Sequence, residues 1–188
     1  DVVLECSGHN SSRQFLERGL TAGAKFVLVS GPSSRADATF VCGVNEQEFG
    51  KQKIVSNSSC TTNAFAPLLK FLNYNFGIIS GNMLTVHCYT GSQPTIDKPG
   101  RDPARSRAAG LSMVPTTTSA ALEVTSLLPE LADKVLVSAL RGPVPSVSAI
   151  DFSFRTDKPF SSAALVKLLN EHPAPVSYTH LTLPTSRS

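Results

Sequence analysis

Lys53-Ile54-Val55-Ser56-Asn57-Ser58-Ser59-Cys60-Thr61-Thr62-Asn63 joins a short apolar strand candidate to an amphipathic helix, and the reading of the fold turns on it. Downstream, Phe65, Leu68, Leu69 and Leu72 recur at the i, i+3, i+4, i+7 spacing that places four side chains on one buried helix face. Ser58, Ser59 and Thr61 are the residue types that cap a helix start. A thiol at that end, Cys60, meets unpaired N–H groups and the positive end of the helix dipole. Both favour the thiolate, which is the nucleophilic form. A cysteine in such a turn more often simply packs, so its neighbours along the chain must decide.

Working outward toward the start, Phe26-Val27-Leu28-Val29 reads as a buried strand ending at Ser30-Gly31-Pro32, and Thr39-Phe40-Val41 as a shorter one. Asp1-Val2-Val3-Leu4-Glu5 reads as another buried strand, broken by Ser7-Gly8. Between the two, Ser11 or Ser12 caps a helix running through Leu20, with Phe15, Leu16 and Leu20 as its apolar face and Gly23 closing it. Strand, helix, strand with near-continuous apolar strands implies parallel pairing in an open α/β sheet. Ligands bind such sheets at the carboxyl ends of the strands, here Ser7-Gly8, Ser30-Gly31 and the Cys60 turn. The glycine-rich phosphate loop usual in such folds is expected to precede residue 1.

Working outward toward the end, the Cys60 helix runs to Phe76-Gly77, and Met83 to Tyr89 reads as a strand carrying His87. Thr90 to Ala108 is a polar, Gly/Pro-rich loop with Arg101, Arg105 and Arg107, and long loops in compact domains tend to be functional. Pro115-Thr116-Thr117-Thr118-Ser119 leads into a helix with Ala120, Ala121, Val124, Leu127 and Leu128 on one face, stopped by Pro129. Lys134 to Gly142 and Ser146 to Asp157 alternate as strands of a sheet with one covered face. Ser161 to His172 is a final helix. Residues 175–188 are Ser/Thr/Pro-rich without period and resemble the in-frame translation of a sequencing-library adaptor. They are expected to be a non-native tail and are set aside.

The hydrophobic fraction of 41% and mean hydropathy of +0.02 are those of a soluble globular protein. Seventeen basic and 14 acidic residues, in no like-charged run, argue against a nucleic-acid partner or a membrane surface. No apolar stretch approaches the ~20 residues of a membrane span, and no signal segment opens the chain. Cys6, Cys42, Cys60 and Cys88 show no metal-ligand spacing, so no metal is expected. They read as reduced thiols of a cytoplasmic protein, with Cys6, Cys42 and Cys88 packed inside apolar strand-like runs.

His87 follows Cys60 by 27 residues, room for the helix and a return strand to bring the two together. An imidazole beside a thiolate stabilises it and can move a proton; a hydrogen-bonded strand histidine is equally consistent with the spacing. Ser59, Thr61, Thr90, Thr118 and Ser119 put hydroxyls at turns and helix starts, where they bind small anions or merely cap. Arg105, Arg107 and Arg141 supply forked donors suited to phosphate, although an ion pair would also account for Arg141. The set suits acyl chemistry on a phosphorylated substrate.

Glu5-Cys6-Ser7-Gly8, Gly23-Ala24-Lys25, Gly43-Val44-Asn45, Ile54-Val55-Ser56-Asn57 through Cys60-Thr61-Thr62-Asn63, and Asn75-Phe76-Gly77-Ile78 carry a further signal. With Thr85-Val86-His87, Arg105-Ser106-Arg107-Ala108-Ala109, Pro115-Thr116-Thr117-Thr118, Leu128-Pro129-Glu130-Leu131 and Arg141, they resemble the phosphorylating glyceraldehyde-3-phosphate dehydrogenases over about residues 1–172. The resemblance implies an α/β fold: the C-terminal part of a Rossmann-type parallel-sheet domain at 1–58, then an α+β catalytic domain at 59–174 with a largely antiparallel sheet. It implies that Cys60 attacks the aldehyde of glyceraldehyde 3-phosphate, that His87 moves the proton, and that inorganic phosphate takes the acyl group from the resulting thioester. Thr90 and Arg141 match the site for the C3 phosphate. Ser59, Thr61, Thr118 and Ser119 match the site for inorganic phosphate, with Arg105 helping. Ser7, Gly8 and Ser30 match positions lining the dinucleotide, NAD or NADP. The loop from Thr90 to Arg107 matches one that reaches toward a neighbouring subunit's cofactor in a homotetramer.

Departures from the family pattern keep other readings open. Ser119 stands where glycine is usual, Gly142-Pro143-Val144 follows Arg141, Gly91-Ser92 replaces a common Asn-Asp, and Lys98 replaces an apolar residue. The alternatives are an erythrose-4-phosphate dehydrogenase, a Cys–His hydrolase or acyl transferase, and a non-catalytic paralogue. The 188-residue chain alone is expected neither to bind the cofactor well nor to turn over.

Overall fold

The structure, a computed structural model, describes residues 1–171. The segment 175–188 and His172, expected to end the last helix, lie outside the described residues. The chain forms two four-stranded sheets with the Cys60 helix between them in sequence.

The first sheet has the order β1-β2-β4-β3, built from β1 (Val2–Glu5), β2 (Phe26–Val29), β3 (Ala38–Thr39) and β4 (Ile54–Ser56). Its strands are all parallel, as the strand–helix–strand pattern requires. Helix α1 (Arg13–Thr21) is capped by Ser12, whose Oγ accepts from the N–H of Phe15, and Gly23 leaves it at φ +96°. Leu16 seats α1 on Val27, Val29 and Ile54. The helix lies so close that a Cβ on Gly19 would stand 2.8 Å from Val27 Cγ2. Asp37 ties this unit together: Oδ2 accepts from the N–H groups of Lys53 and Ile54, and Oδ1 takes the Arg13 guanidinium. Partial burial pushes this carboxyl up, but the Ile54 N–H, Arg13 and the Lys53 N–H outweigh that and hold it below its ordinary value.

Two expectations fail here. β1 is not a buried strand: among the described residues it pairs only with β2, and Val2 and Leu4 are exposed on the face away from α1. An apolar run reports potential for burial, and an edge strand covered on one face uses half of it. Cys6 and Cys42 are exposed just past strand ends, and Cys88 is half-buried, so none packs as a core thiol.

The second sheet has the order β6-β7-β5-β8, from β5 (Ile78–His87), β6 (Val114–Thr116), β7 (Val135–Arg141) and β8 (Ala149–Thr156). It is mixed: β5–β8 and β6–β7 are antiparallel, whereas the central pair β5–β7 is parallel. β5 starts five residues earlier than Met83, because Ser80, Gly81 and Asn82 hide the apolar pattern. Gly81 is required where it stands, since a Cβ would meet the Phe152 ring at 2.6 Å. β6 escapes a sequence reading because it is three residues long with Pro115 at its centre, a residue tolerated on an edge strand such as this.

Helix α2 (Cys60–Phe76) packs on this sheet with Phe65, Leu69 and Leu72 buried, Phe65 meeting Phe152 edge-to-face at 4.9 Å. Helix α3 (Ala120–Leu127) adds Val124 to that core, and α4 (Ser162–Glu171) adds Leu165. The sequence places α3, its stop at Pro129 and the start of α4 correctly to within a residue; the expected end of α4, His172, lies outside the described residues.

Candidate active site

The turn from β4 into α2 is fixed by a chain of short polar contacts. Ser56 Oγ donates to the carbonyl of Gly31 at 2.9 Å and accepts from the N–H of Ser58 at 3.1 Å. Ser59 is the N-cap: its Oγ accepts from the N–H of Thr62 at 3.1 Å. Asn63 Nδ2 donates back to the carbonyls of Asn57 and Ser59. Ser58 is held at φ +63°, a conformation a non-glycine residue keeps only when its surroundings over-determine it.

Part of that over-determination comes from Glu123 on α3, which sequence reasoning missed. Its Oε2 accepts from Ser58 Oγ at 2.7 Å and from Thr62 Oγ1 at 2.5 Å. Ser58 and Thr62 are 2% and 0% exposed, so this carboxylate satisfies two hydroxyls that solvent cannot reach. Because the Thr62 proton goes to the carboxylate, the contact of 2.7 Å between Ser59 Oγ and Thr62 Oγ1 must use the Ser59 proton. The Ser59 hydroxyl is thus committed as a cap and spacer in this structure.

Cys60 opens α2 and is exposed. Its Sγ lies 3.4 Å from Nε2 of His87, at the carboxyl end of β5, so the pairing inferred across 27 residues is real. Parallel pairing sets Arg141, at the end of β7, directly beside His87, and Arg141 Nη1 lies 2.8 Å from His87 Nδ1. Neither the parallel pair nor this contact could be read from the sequence. A cleft of about 160 Å³ is lined by Ser59, Cys60, Thr61, His87, Thr118, Ser119 and Arg141, seven of the residues singled out above. Thr85 shares the cleft two residues before His87 on the same strand face. It is 2% exposed, and its Oγ1 has no hydrogen-bond partner among the described residues.

Other expected residues stand elsewhere. Thr90 contacts Ser92 at 3.0 Å and does not line the cleft. Arg105 pairs with Asp102 and donates from Nη2 to Oγ1 of Thr117, a residue of the cleft wall, at 3.1 Å. It lines a separate cavity of about 420 Å³ within residues 91–106, with Lys98 and Arg101. Arg107 is tied to Asp97. Thr118 Oγ1 accepts from the N–H of Ala120 at the start of α3, while Ser119, the N-cap residue, makes no side-chain cap bond. Ser7, Gly8 and Ser30 sit at the carboxyl ends of β1 and β2 and do not line the cleft. Among the described residues no cluster of His, Cys, Asp or Glu could hold a metal ion.

Residues 59–181 match the family model for the glyceraldehyde 3-phosphate dehydrogenase C-terminal domain. The chain belongs to the glyceraldehyde-3-phosphate dehydrogenase family. It is 50% identical over 155 residues to the glyceraldehyde-3-phosphate dehydrogenase of Xanthobacter flavus, covering 82% of this chain and 46% of the relative. It is 46% identical over 153 residues to glyceraldehyde-3-phosphate dehydrogenase 2 of Bacillus subtilis, covering 80% and 45%. With the Serratia marcescens protein of the same family name, identity is 41% over 172 residues, covering 91% and 58%. The chain spans about half the length of these curated relatives. The family assignment agrees with the α/β architecture of one parallel and one mixed sheet.

Proposed function

We propose that Cys60 is the nucleophile of a phosphorylating aldehyde dehydrogenase whose substrate is an aldose phosphate, glyceraldehyde 3-phosphate, with inorganic phosphate as the acyl acceptor. The observation that carries this is the 3.4 Å contact of Cys60 Sγ with His87 Nε2 in a cleft whose wall is Arg141. The thiolate sits on the N-terminus of a 17-residue helix, where dipole and free N–H groups favour negative charge. Attack on the aldehyde carbon forms an S–C bond and leaves an alkoxide, to which His87 Nε2 gives a proton. His87 takes that proton back as the carbon gives up a hydride, for which a bound nicotinamide would be the acceptor, leaving a thioester on Cys60. A phosphate oxygen then displaces the thiolate, regenerating Cys60 and releasing an acyl phosphate. Arg141 holds the anionic end of the aldehyde. Thr61, Thr118 and Ser119 hold inorganic phosphate at the starts of α2 and α3, with Arg105 behind them and Ser59 as the cap. Thr90 joins the C3-phosphate site only if its loop moves.

The carboxyl ends of the first sheet suit a nicotinamide nucleotide. Gly8 has φ +82° and open space where a Cβ would stand, so a flat ring or a phosphate can approach that backbone closely. Ser7, Gly8 and Ser30 would hold it, and NAD or NADP would supply the hydride acceptor. Assembly as a homotetramer is supported by exposed Ile96, Leu111 and Met113 on the segment after β5. A cytoplasmic enzyme of glycolysis is part of the same proposal. Among the described residues no helix is long and apolar enough to cross a membrane. The domain division at residue 58 follows the change of sheet.

The test is the gene's full-length product. Phosphate-dependent reduction of NAD or NADP with glyceraldehyde 3-phosphate is expected, lost in Cys60→Ser and reduced at least about 100-fold in His87→Ala. Comparing glyceraldehyde 3-phosphate with erythrose 4-phosphate, and NAD with NADP, settles substrate and cofactor. Thioester hydrolysis without phosphate or nucleotide would establish the hydrolase instead. Iodoacetamide modification of Cys60 at an ordinary thiol rate, unchanged in His87→Ala, would establish the non-catalytic paralogue.

A further inference from the structure

Cys60 is the middle residue of a short arc, Ser58-Ser59-Cys60-Thr61-Thr62, and both ends of that arc are tied to one atom. Ser58 Oγ donates to Glu123 Oε2 at 2.7 Å from one side of the thiol, and Thr62 Oγ1 donates to the same oxygen at 2.5 Å from the other. The arc has a second clasp, Asn63 Nδ2 on the carbonyls of Asn57 and Ser59, but Asn63 belongs to α2 and moves with it. Of these two clasps only Glu123 comes from another element. It fixes where the arc sits, while Asn63 fixes its shape.

The carboxylate is itself well anchored. Ala120 and Val124, before and after Glu123 in α3, are 0% and 3% exposed. One turn earlier α3 begins at Thr118 and Ser119, which line the Cys60 cleft, and the Glu123 N–H donates to the Ser119 carbonyl at 3.0 Å. The starts of α2 and α3 therefore face one cleft and are joined through a single side chain. On the other side of the thiol, His87 belongs to β5 of the second sheet, the sheet on which Phe65, Leu69 and Leu72 seat α2. All three of those apolar contacts lie more than a helical turn beyond Cys60. The turn that carries the thiol is thus held by its polar ties.

We propose that Glu123 is a positioning residue for the Cys60 nucleophile: by pinning Ser58 and Thr62 to α3 it holds Sγ within 3.4 Å of His87 Nε2. Its side-chain hydrogen bonds among the described residues go only to those two hydroxyls, so it acts through the arc. A displaced thiol loses the imidazole that favours its thiolate, and small shifts of a reacting atom are costly in rate. The effect is one of geometry, so a neutral acceptor of the same length serves in place of the carboxylate. A carboxylate set one methylene further back does not. Action through charge would run the other way: a carboxylate near the N-terminus of α2 opposes a thiolate there, and removing the charge would speed the thiol.

The inference rests on the proposed function, since it names what aims that nucleophile, but its test needs no turnover. In the gene's full-length product, the rate of iodoacetamide addition at Cys60 is followed by mass spectrometry of the labelled peptides. Cys42, a thiol that does not line the cleft, is the reference within the same molecules. The ratio of the Cys60 rate to the Cys42 rate should fall at least about 10-fold in Glu123→Ala and in Glu123→Asp. In Glu123→Gln it should stay near the wild-type value. Adding Ser58→Gly to Glu123→Ala relieves the strain of φ +63° without restoring the tie, so the ratio should remain low. An unchanged ratio in Glu123→Ala overturns the proposal. So does a rise or an equal fall in Glu123→Gln, either of which would make the charge the active feature, and so does recovery in the double variant, which would leave Glu123 a role in stability alone. If Glu123→Ala does not fold, the opposite responses expected of Glu123→Asp and Glu123→Gln decide the matter. Absence of dehydrogenase activity in the full-length product would refute the function, and the Cys60 rates would still decide this proposal.

Discussion

Glu123→Ala takes away the oxygen that accepts from Ser58 Oγ and Thr62 Oγ1. Thr62 keeps an alternative partner, since Ser59 Oγ is 2.7 Å away. Ser58 does not: its side chain is 2% exposed, and no second side-chain partner of its Oγ is seen among the described residues. A buried hydroxyl left without a partner costs about 1–3 kcal/mol, and losing a charged acceptor for Thr62 adds roughly 1 kcal/mol. The expected loss is therefore about 2–4 kcal/mol, a fall in Tm of roughly 5–15 °C for a chain of this size. The positive φ of Ser58 sharpens the test. A residue with a Cβ in that conformation carries about 1–2 kcal/mol of strain, which glycine does not. Ser58→Gly alone trades strain relief against a lost bond and should change stability little. In the Glu123→Ala background it removes both the orphaned hydroxyl and the strain, and should restore about 1–2 kcal/mol. Urea denaturation followed by circular dichroism on the four proteins closes the cycle. Glu123→Ala within about 0.5 kcal/mol of wild type, or additive substitutions, would refute the assignment of Glu123 as the clamp on the Cys60 turn.

Gly81→Ala forces a Cβ to 2.6 Å and 2.8 Å from atoms of the Phe152 ring, which also packs on Phe65. Overpacking should cost about 1–3 kcal/mol in urea denaturation, and a neutral result would mean the sheet yields where the packing says it cannot. Asp37→Asn weakens the acceptor shared by Lys53, Ile54 and Arg13, and should lose about 1–2 kcal/mol at neutral pH. The Asp37 carboxyl sits below its ordinary value in the folded state, so its contribution is present above the unfolded carboxylate range and fades as pH falls through the folded value. The gap between wild type and Asp37→Asn should accordingly narrow in acid; a gap that widens reverses the sign of the argument. Thr85→Val removes a buried hydroxyl with no partner among the described residues, so melting should show equal or higher stability. A loss above about 1 kcal/mol would reveal a partner for that oxygen.

What could be read in advance was local. The Ser59 cap, the apolar face of α2 and the end of that helix at Gly77 follow from residue types within a few positions of one another. The parallel first sheet followed from its apolar strands. Burial of β1 did not, because an edge strand and a central one share the same pattern and differ only in what lies beside them. Cys6 and Cys42 failed for a related reason: each lies a residue or more past the end of its strand, where the apolar run stops predicting burial. The long-range contacts of the site were the hardest. Ser58 and Glu123 are 65 positions apart, His87 and Arg141 54, and neither spacing carries a periodic signature. The first depends on how α3 docks against α2, and the second on the direction of β7.

That direction links the stability of the second sheet to the chemistry of the cleft. His87 and Arg141 are the last residues of β5 and β7, and the register runs from Gly81 against Val135 to that terminal pair. Side chains alternate between faces, so a slip of one residue would set Leu140 or Gly142 opposite His87 and turn Arg141 to the other side of the sheet. Met83, fully buried in the core, and Ser138, whose Oγ donates to the Met83 carbonyl at 3.1 Å, resist such a slip well before the strand ends. The substitution of Gly142-Pro143-Val144 after Arg141 therefore lies beyond the part of β7 that sets the contact. Arg141 keeps its place because the register is fixed upstream, and an altered segment after it can change what reaches the cleft without moving the guanidinium from His87.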